Sequence, residues 1–269
     1  MSIPRSVFLK LERAKEHLET LADVHEKFLA TRPYEITRTI EASRQAGRGA
    51  EHRLVWSRFE TPPEALGLLI GDTIHNLRSA LDHLAFELAS HGAQQSGKVM
   101  TPSQERSIQF PIARSARKFS ENVRRGALKF VEAAPRKFIE DRQPFNTMSK
   151  HPDKAFLAIV SALDNLDKHR TINVVSAFPS ISKDNWPVQW RGSYLRYPTG
   201  LTRHGLGEEI GYFEVPNSLT AEDLPLSFGY GLVVQGIEVH SRNIPDLLSA
   251  YIDSTENMTI LPICDKYLP

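Results

Sequence analysis

The stretch from Thr61 to Gly92 carries a start signal, a stop signal and, from Glu64 onward, no proline, and it constrains the fold more than any other segment. Thr61-Pro-Pro-Glu64 supplies a capping hydroxyl, prolines whose missing N–H groups are harmless in a first turn, and a glutamate three residues after the cap. Gly92 stands where such a helix would end, so the spacing predicts a helix of about 28 residues. At about 100° per residue, Ile70, Ile74, Leu77, Leu81, Leu84 and Leu88 fall on one apolar stripe. Asp72, Asn76, Ser79 and His83 line the opposite side, so one face belongs to a core and the other is continuously polar.

Other segments repeat one of two textures. Residues 4–31 place Val7, Leu11, Ala14, Leu18, Leu21 and Phe28 at helical spacing, and Pro33 ends that pattern. Tyr34 to Glu41 and His52 to Phe59 read as a β-hairpin across the polar, glycine-containing stretch from Ala42 to Glu51. Ser115 to Arg142 reads as one or two shorter helices broken near Gly126 and Pro135. Pro152 to Lys168 is a further helix, with Phe156, Ile159, Val160, Leu163 and Leu166 on its apolar face. Beyond it come β-like runs at Thr171–Phe178, Val188–Tyr197, Ile210–Val215 and Leu224–Val239, and a last helix at about Ile244–Asp253. Strands and helices do not alternate as β-α-β, so the expected fold is α+β. Three or four long helices would form a bundle, and an antiparallel sheet would draw on the N-terminal hairpin and the C-terminal strands. The expectation is a single domain over residues 1–269. Its helical core would take about 4–32, 60–172 and 243–255, and its β-rich part 34–59 and 171–240.

Composition narrows the function classes. With 269 residues and 41% apolar side chains the chain can bury a real core, which excludes a wholly disordered protein. The longest strongly apolar stretch, Ala155 to Leu163, is far short of the roughly 20 residues a membrane span needs. One cysteine, Cys264, and an N-terminus without a secretory pattern point to a reducing compartment, so the expected location is the cytoplasm. The near-neutral total of +1 conceals a polarised chain. Residues 101–150 hold 11 Lys/Arg against 5 Asp/Glu, whereas 206–269 hold 2 against 10. The basic stretch, with Phe119 and Phe130 nearby for stacking, suits RNA or another polyanion, or a solvated face, or docking against the acidic C-terminal part.

Two segments are denser in reactive side chains than a structural helix requires: Gly71-Asp-Thr-Ile-His-Asn-Leu-Arg-Ser-Ala-Leu-Asp-His83 and Asp164-Asn-Leu-Asp-Lys-His-Arg170. If their helices pack side by side, the polar rims converge on one cleft holding His75, Asn76, His83, Asn165, Asp167 and His169, with Asp72, Ser79 and Lys168 as further binding candidates. Together these motifs resemble a widespread family of uncharacterised bacterial proteins with a GDxxHNLRSALDH motif and a later DKHR motif. The resemblance covers roughly residues 60 to 172 and implies a shared fold and site, with no reaction attached. A second resemblance is to HEPN domains, helical bundles that often cleave RNA with an Arg-x(4 to 6)-His motif, which Arg78-Ser-Ala-Leu-Asp-His83 satisfies. It implies that Arg78 holds the phosphate and that His83 transfers the proton of the ribose 2′-hydroxyl, with neither metal nor cofactor; His75 is a further catalytic candidate. RNA would be the partner, and a membrane would not. Residues five apart on a helix lie about 140° from one another, so Arg78 and His83 would have to meet across a homodimer seam or an open cleft.

Two alternatives stand beside this one. Asp72-x-x-His75, with His83 two turns on and His169 or Asp167 from the second helix, would supply three or four metal ligands. In the structural alternative, Asp72 pairs with Arg170 or Lys168, Asn76 bonds to backbone, and Arg78 pairs with Asp82 at i, i+4. The motif would then dock helices, and the protein would act by binding something else.

Overall fold

Helical periodicity at the start of the chain produces α1 (Arg5–Ala30), whose Val7, Leu11, Ala14 and Leu21 are buried. The structure is a computed structural model describing residues 3–42, 50–169, 174–181, 206–207, 209–215, 228–234 and 243–269. Strands β1 (Tyr34–Ala42) and β2 (Ala50–Phe59) follow, then α2 (Glu64–Gln95), α3 (Pro102–Ser107), α4 (Ala116–Arg124), α5 (Ala133–Asp141), α6 (Pro144–Thr147) and α7 (Phe156–His169). Strands β3 (Val174–Ile181), β4 (Glu209–Val215) and β5 (Phe228–Val234) precede α8 (Ile244–Thr255) and α9 (Leu261–Tyr267). The fold is α+β, with long helices and antiparallel sheets built from the N-terminal hairpin and later strands. The expected strand Val188–Tyr197 lies outside the described residues.

Two compact units share the chain. The first, helical, takes Met1–Asp23, Ala65–Ile172 and Pro245–Pro269; the second takes Val24–Glu64 and Asn173–Ile244. In the second, β1, β2 and β4 form an antiparallel sheet in that order, and β3 pairs antiparallel with β5. Alternation along β2 buries Leu54 and Trp56, and Trp56 joins Phe28, Tyr34 and Phe59 in an aromatic cluster with ring centroids 5.4 to 5.8 Å apart. Arg53 of β2 meets Glu41 of β1, Glu51 of its own strand and Glu209 of β4, so one guanidinium ties three strands.

In the helical unit, α2 buries Ile70, Ile74, Leu77, Leu81, Leu84 and Leu88, the stripe expected from sequence. α7 contributes Leu157, Val160 and Leu163 to the buried set. Three expectations are corrected. Gly92 does not end α2. The helix runs on to Gln95, and Gly97, with φ +64°, closes it through bonds from the Gly97 N–H to the Gln94 carbonyl and from the Lys98 N–H to the Ala93 carbonyl. Gly92 instead admits another part of the chain, because a Cβ there would lie 2.0 Å from the Phe130 carbonyl oxygen. Nor does Pro135 break a helix: it occupies the first turn of α5, where a missing N–H costs nothing. The C-terminal helix also continues beyond the expected Asp253. A π-turn at Glu256–Ile260 leads directly into α9, which holds Pro262 in its first turn.

Candidate functional site

The polar stripe of α2 lies between two neighbours. On one flank is α1, running in the opposite sense: the Ser6 hydroxyl donates to Glu87 at 2.8 Å, and His17 Nδ1 stands 4.0 Å from Asp72 Oδ2. Between them Lys10 Nζ reaches Asn76 Oδ1 at 3.5 Å, while Asn76 Nδ2 donates to the Asp72 carbonyl one turn back at 2.9 Å.

On the other flank is α7, also antiparallel. A Cβ at Gly71 would lie 2.2 Å from Asp167 Oδ1, so the missing side chain is what lets this carboxylate sit against α2. One turn further along, His75 Nδ1 lies 3.2 Å from Asp164 Oδ1. Asp164 has a side chain only 4% exposed, and its other oxygen accepts from Lys168 Nζ at 2.6 Å. A carboxylate cannot donate, so the proton of this contact rides on His75 Nδ1. The imidazole is half exposed, at 50%. Burial raises the Asp167 carboxyl above its ordinary range, and the Asp72 and Asp164 charges add to that, against the opposing pull of His75 and Lys168.

A second polar group closes on itself one turn further along α2. Arg78 Nη2 donates to Asp82 Oδ1 at 2.8 Å and to the Phe110 carbonyl at 2.7 Å, and the Phe110 N–H donates to the same Asp82 oxygen at 2.8 Å. One ion pair thereby satisfies both backbone groups of a buried residue that lies in no helix or strand. The Arg78 side chain is 12% exposed. Burial pushes the Asp82 carboxyl up, more than Arg78 and the Phe110 N–H pull it down.

Of the residues singled out from sequence, His75 and Lys168 therefore stand at Asp164 with Asp167 one turn along α7, while Asp72 and Asn76 stand toward α1 with His17 and Lys10. Arg78 lies apart, bound to Asp82 and Phe110. Ser79 and His83 are half-buried along the same stripe, Asn165 is exposed, and the His169 side chain and Arg170 lie outside the described residues. The site also uses groups not counted among the candidates. Asp164 is the hub, Lys10 and His17 come from α1, and the Phe110 backbone is what Arg78 holds. A glycine in mid-helix and an Asp four residues before a Lys were the available signals for Gly71 and Asp164.

Among the described residues, no three His, Cys, Asp or Glu side chains are grouped so as to hold a metal ion, so Asp72, His75, His83 and Asp167 form no such set. No helix among them is long and apolar enough to cross a membrane. Comparison with protein-family models, curated proteins and solved structures finds no match.

Proposed function

We propose that this chain is a non-enzymatic ligand-binding or interaction protein whose 71–83 motif docks helices, rather than a ribonuclease built on Arg78 and His83. The observation that carries this reading is the closed group of Arg78, Asp82 and Phe110. A phosphate-binding arginine needs free donors facing an open cleft, whereas two donations here go to protein oxygens and the side chain is 12% exposed. Gly71, Asn76 and Asp82 likewise have partners within the protein. The single cysteine, buried and unpaired, suits a reducing compartment, and we place the protein in the cytoplasm.

A second reading rests on one observation, the half-exposed His75 ring oriented by the buried Asp164. A carboxylate-oriented imidazole with a solvent-facing edge is equipped for proton transfer, so metal-independent RNA cleavage would run through His75, alone or beside a second copy of the chain. The carboxylates beside that ring, Asp164 and Asp167, with Asp72 close to Asp167, would repel a polyanion, and this ranks the reading second.

The test is incubation of the purified protein with a mixed RNA pool, with and without EDTA, for wild type, Arg78→Ala, His83→Ala and His75→Ala. The expected result is no cleavage by folded protein, with Arg78→Ala lowering the melting temperature. EDTA-resistant cleavage lost in folded Arg78→Ala and His83→Ala would overturn the proposal, and loss confined to His75→Ala would promote the second reading.

A further inference from the structure

The basic stretch of the helical unit sorts into two populations. Arg114 pairs with Asp153 at 2.9 Å, Arg117 and Lys118 with Glu121 at 3.2 and 3.6 Å, and Lys137 with Asp141 at 2.7 Å. Arg124, Arg125, Lys129 and Arg136 have no carboxylate within salt-bridge distance among the described residues, and all four line one cavity of about 500 Å³. No Asp or Glu lines it, and its polar wall includes Ser103 and Ser107 of α3. Four like charges gathered around one hollow repel each other, and no carboxylate among the described residues pairs with any of them. Attraction to the C-terminal dipole of α4 accounts for Arg124 and Arg125; Lys129 and Arg136 lie beyond its reach.

The walls are held in place. Arg136 Nη2 donates to the Val131 carbonyl at 2.8 Å and the Leu128 carbonyl at 3.3 Å, which fixes the guanidinium, while its Nε is buried with no hydrogen-bond partner. The turn between α4 and α5 has Gly126 at φ +106° and Phe130 at φ +68°. A phenylalanine in the left-handed region is strained, and here it borders the cavity beside Lys129, whose ammonium lies 5.6 Å from its ring centre.

We infer that this cavity is an anion-binding site for a small molecule bearing two or more linked phosphate groups. The exposed Arg124 and Arg125 guanidinium groups and the Lys129 ammonium, backed by the fixed charge of Arg136, match a ligand of several negative charges, and guanidinium forks engage phosphate oxygens in pairs. The volume falls in the range of small-molecule sites, on the order of 300–1,000 Å³. The site shares no residue with the α2–α7 cluster, so it stands whichever reading of that cluster holds.

Isothermal titration of inorganic pyrophosphate into the full chain at low salt tests this. Two double variants accompany wild type: Arg124→Ala/Lys129→Ala, at exposed lining positions, and Arg117→Ala/Lys137→Ala, at paired positions outside the cavity. Both are checked for an unchanged circular-dichroism spectrum and melting curve. The expected result is one saturable site in wild type, weakened about tenfold or more in the lining variant, unchanged in the other, and weakened by added salt. Absence of binding in wild type would overturn the proposal, as would equal loss in both variants. So would tight binding of single-stranded RNA that pyrophosphate fails to displace, which would make this face a nucleic-acid surface instead.

Discussion

Two stretches of the α2 polar stripe, a closed flank at Arg78 and an open flank at His75, use the same residue types for different ends. Around Arg78 and Asp82, charge is turned inward to hold the backbone of Phe110, and the ion pair takes the place a strand ladder would fill. Around Gly71 and His75, the buried Asp164 is equally well satisfied, yet its partners His75 and Lys168 remain about half exposed. The difference teaches that a stripe of polar residues on a helix is not one site. What lies opposite each turn decides: a non-helical segment with unpaired N–H and C=O groups consumes its charges, and a second helix with acids at i and i+3 leaves its partners open to solvent.

Removing Arg78 should therefore have the largest effect. Arg78→Ala leaves Asp82 without its cation and the Phe110 carbonyl without a donor, for an expected loss of about 3 kcal/mol. His75→Ala deletes a half-exposed partner and should cost about 1 kcal/mol or less, since Asp164 keeps Lys168. Urea unfolding of the two variants measures the difference, and equal losses would dissolve the distinction between the flanks.

Gly71 sharpens the same comparison at an intermediate scale. Helix propensity alone would favour Ala there by about 1 kcal/mol. The contact with Asp167 reverses the sign, because a Cβ would meet both Oδ1 and Cγ. Gly71→Ala should therefore destabilise by about 1–2 kcal/mol, and Asp167→Ala in the same chain should recover most of it. If the double variant is no more stable than Gly71→Ala alone, α7 does not approach α2 through this carboxylate.

Much of this architecture was legible beforehand, for reasons visible in particular residues. The apolar stripe from Ile70 to Leu88 and the alternation through Leu54 and Trp56 are period signals that burial enforces, so α2 and the hairpin lay close to their expected bounds. Glycine and proline misled where they do two jobs. Gly92 looked like a terminator and is a place of close approach, while the true terminator, Gly97, lies five residues on. Pro135 looked like a breaker and sits in a first turn. At the site, spacing could propose that α2 and α7 converge, yet it carried no trace of Phe110, because what Arg78 and Asp82 hold is backbone and any residue type supplies that.

The smallest expected effect is on pH dependence, and it bears on whether burial or ion pairing rules each flank. Asp82 and Asp167 are both raised above the ordinary 3.8, by burial first. Above that value the unfolded chain has already released these protons while the fold still holds them, so the folded state binds more protons across the window up to the raised values. Their contribution is therefore complete below about pH 3.8 and is lost as pH rises through the folded values. Asparagine keeps an acceptor for the Phe110 N–H but cannot titrate. Asp82→Asn and Asp167→Asn should each make the decline of stability with rising pH shallower, read as urea midpoints from pH 4 upward. A steeper decline in Asp82→Asn would mean the native charge destabilises less than its neighbours favour it, so that pairing with Arg78 outweighs burial on the closed flank. The same outcome confined to Asp167→Asn would assign that role to His75 and Lys168, and the contrast between the flanks would then be one of charge rather than of exposure.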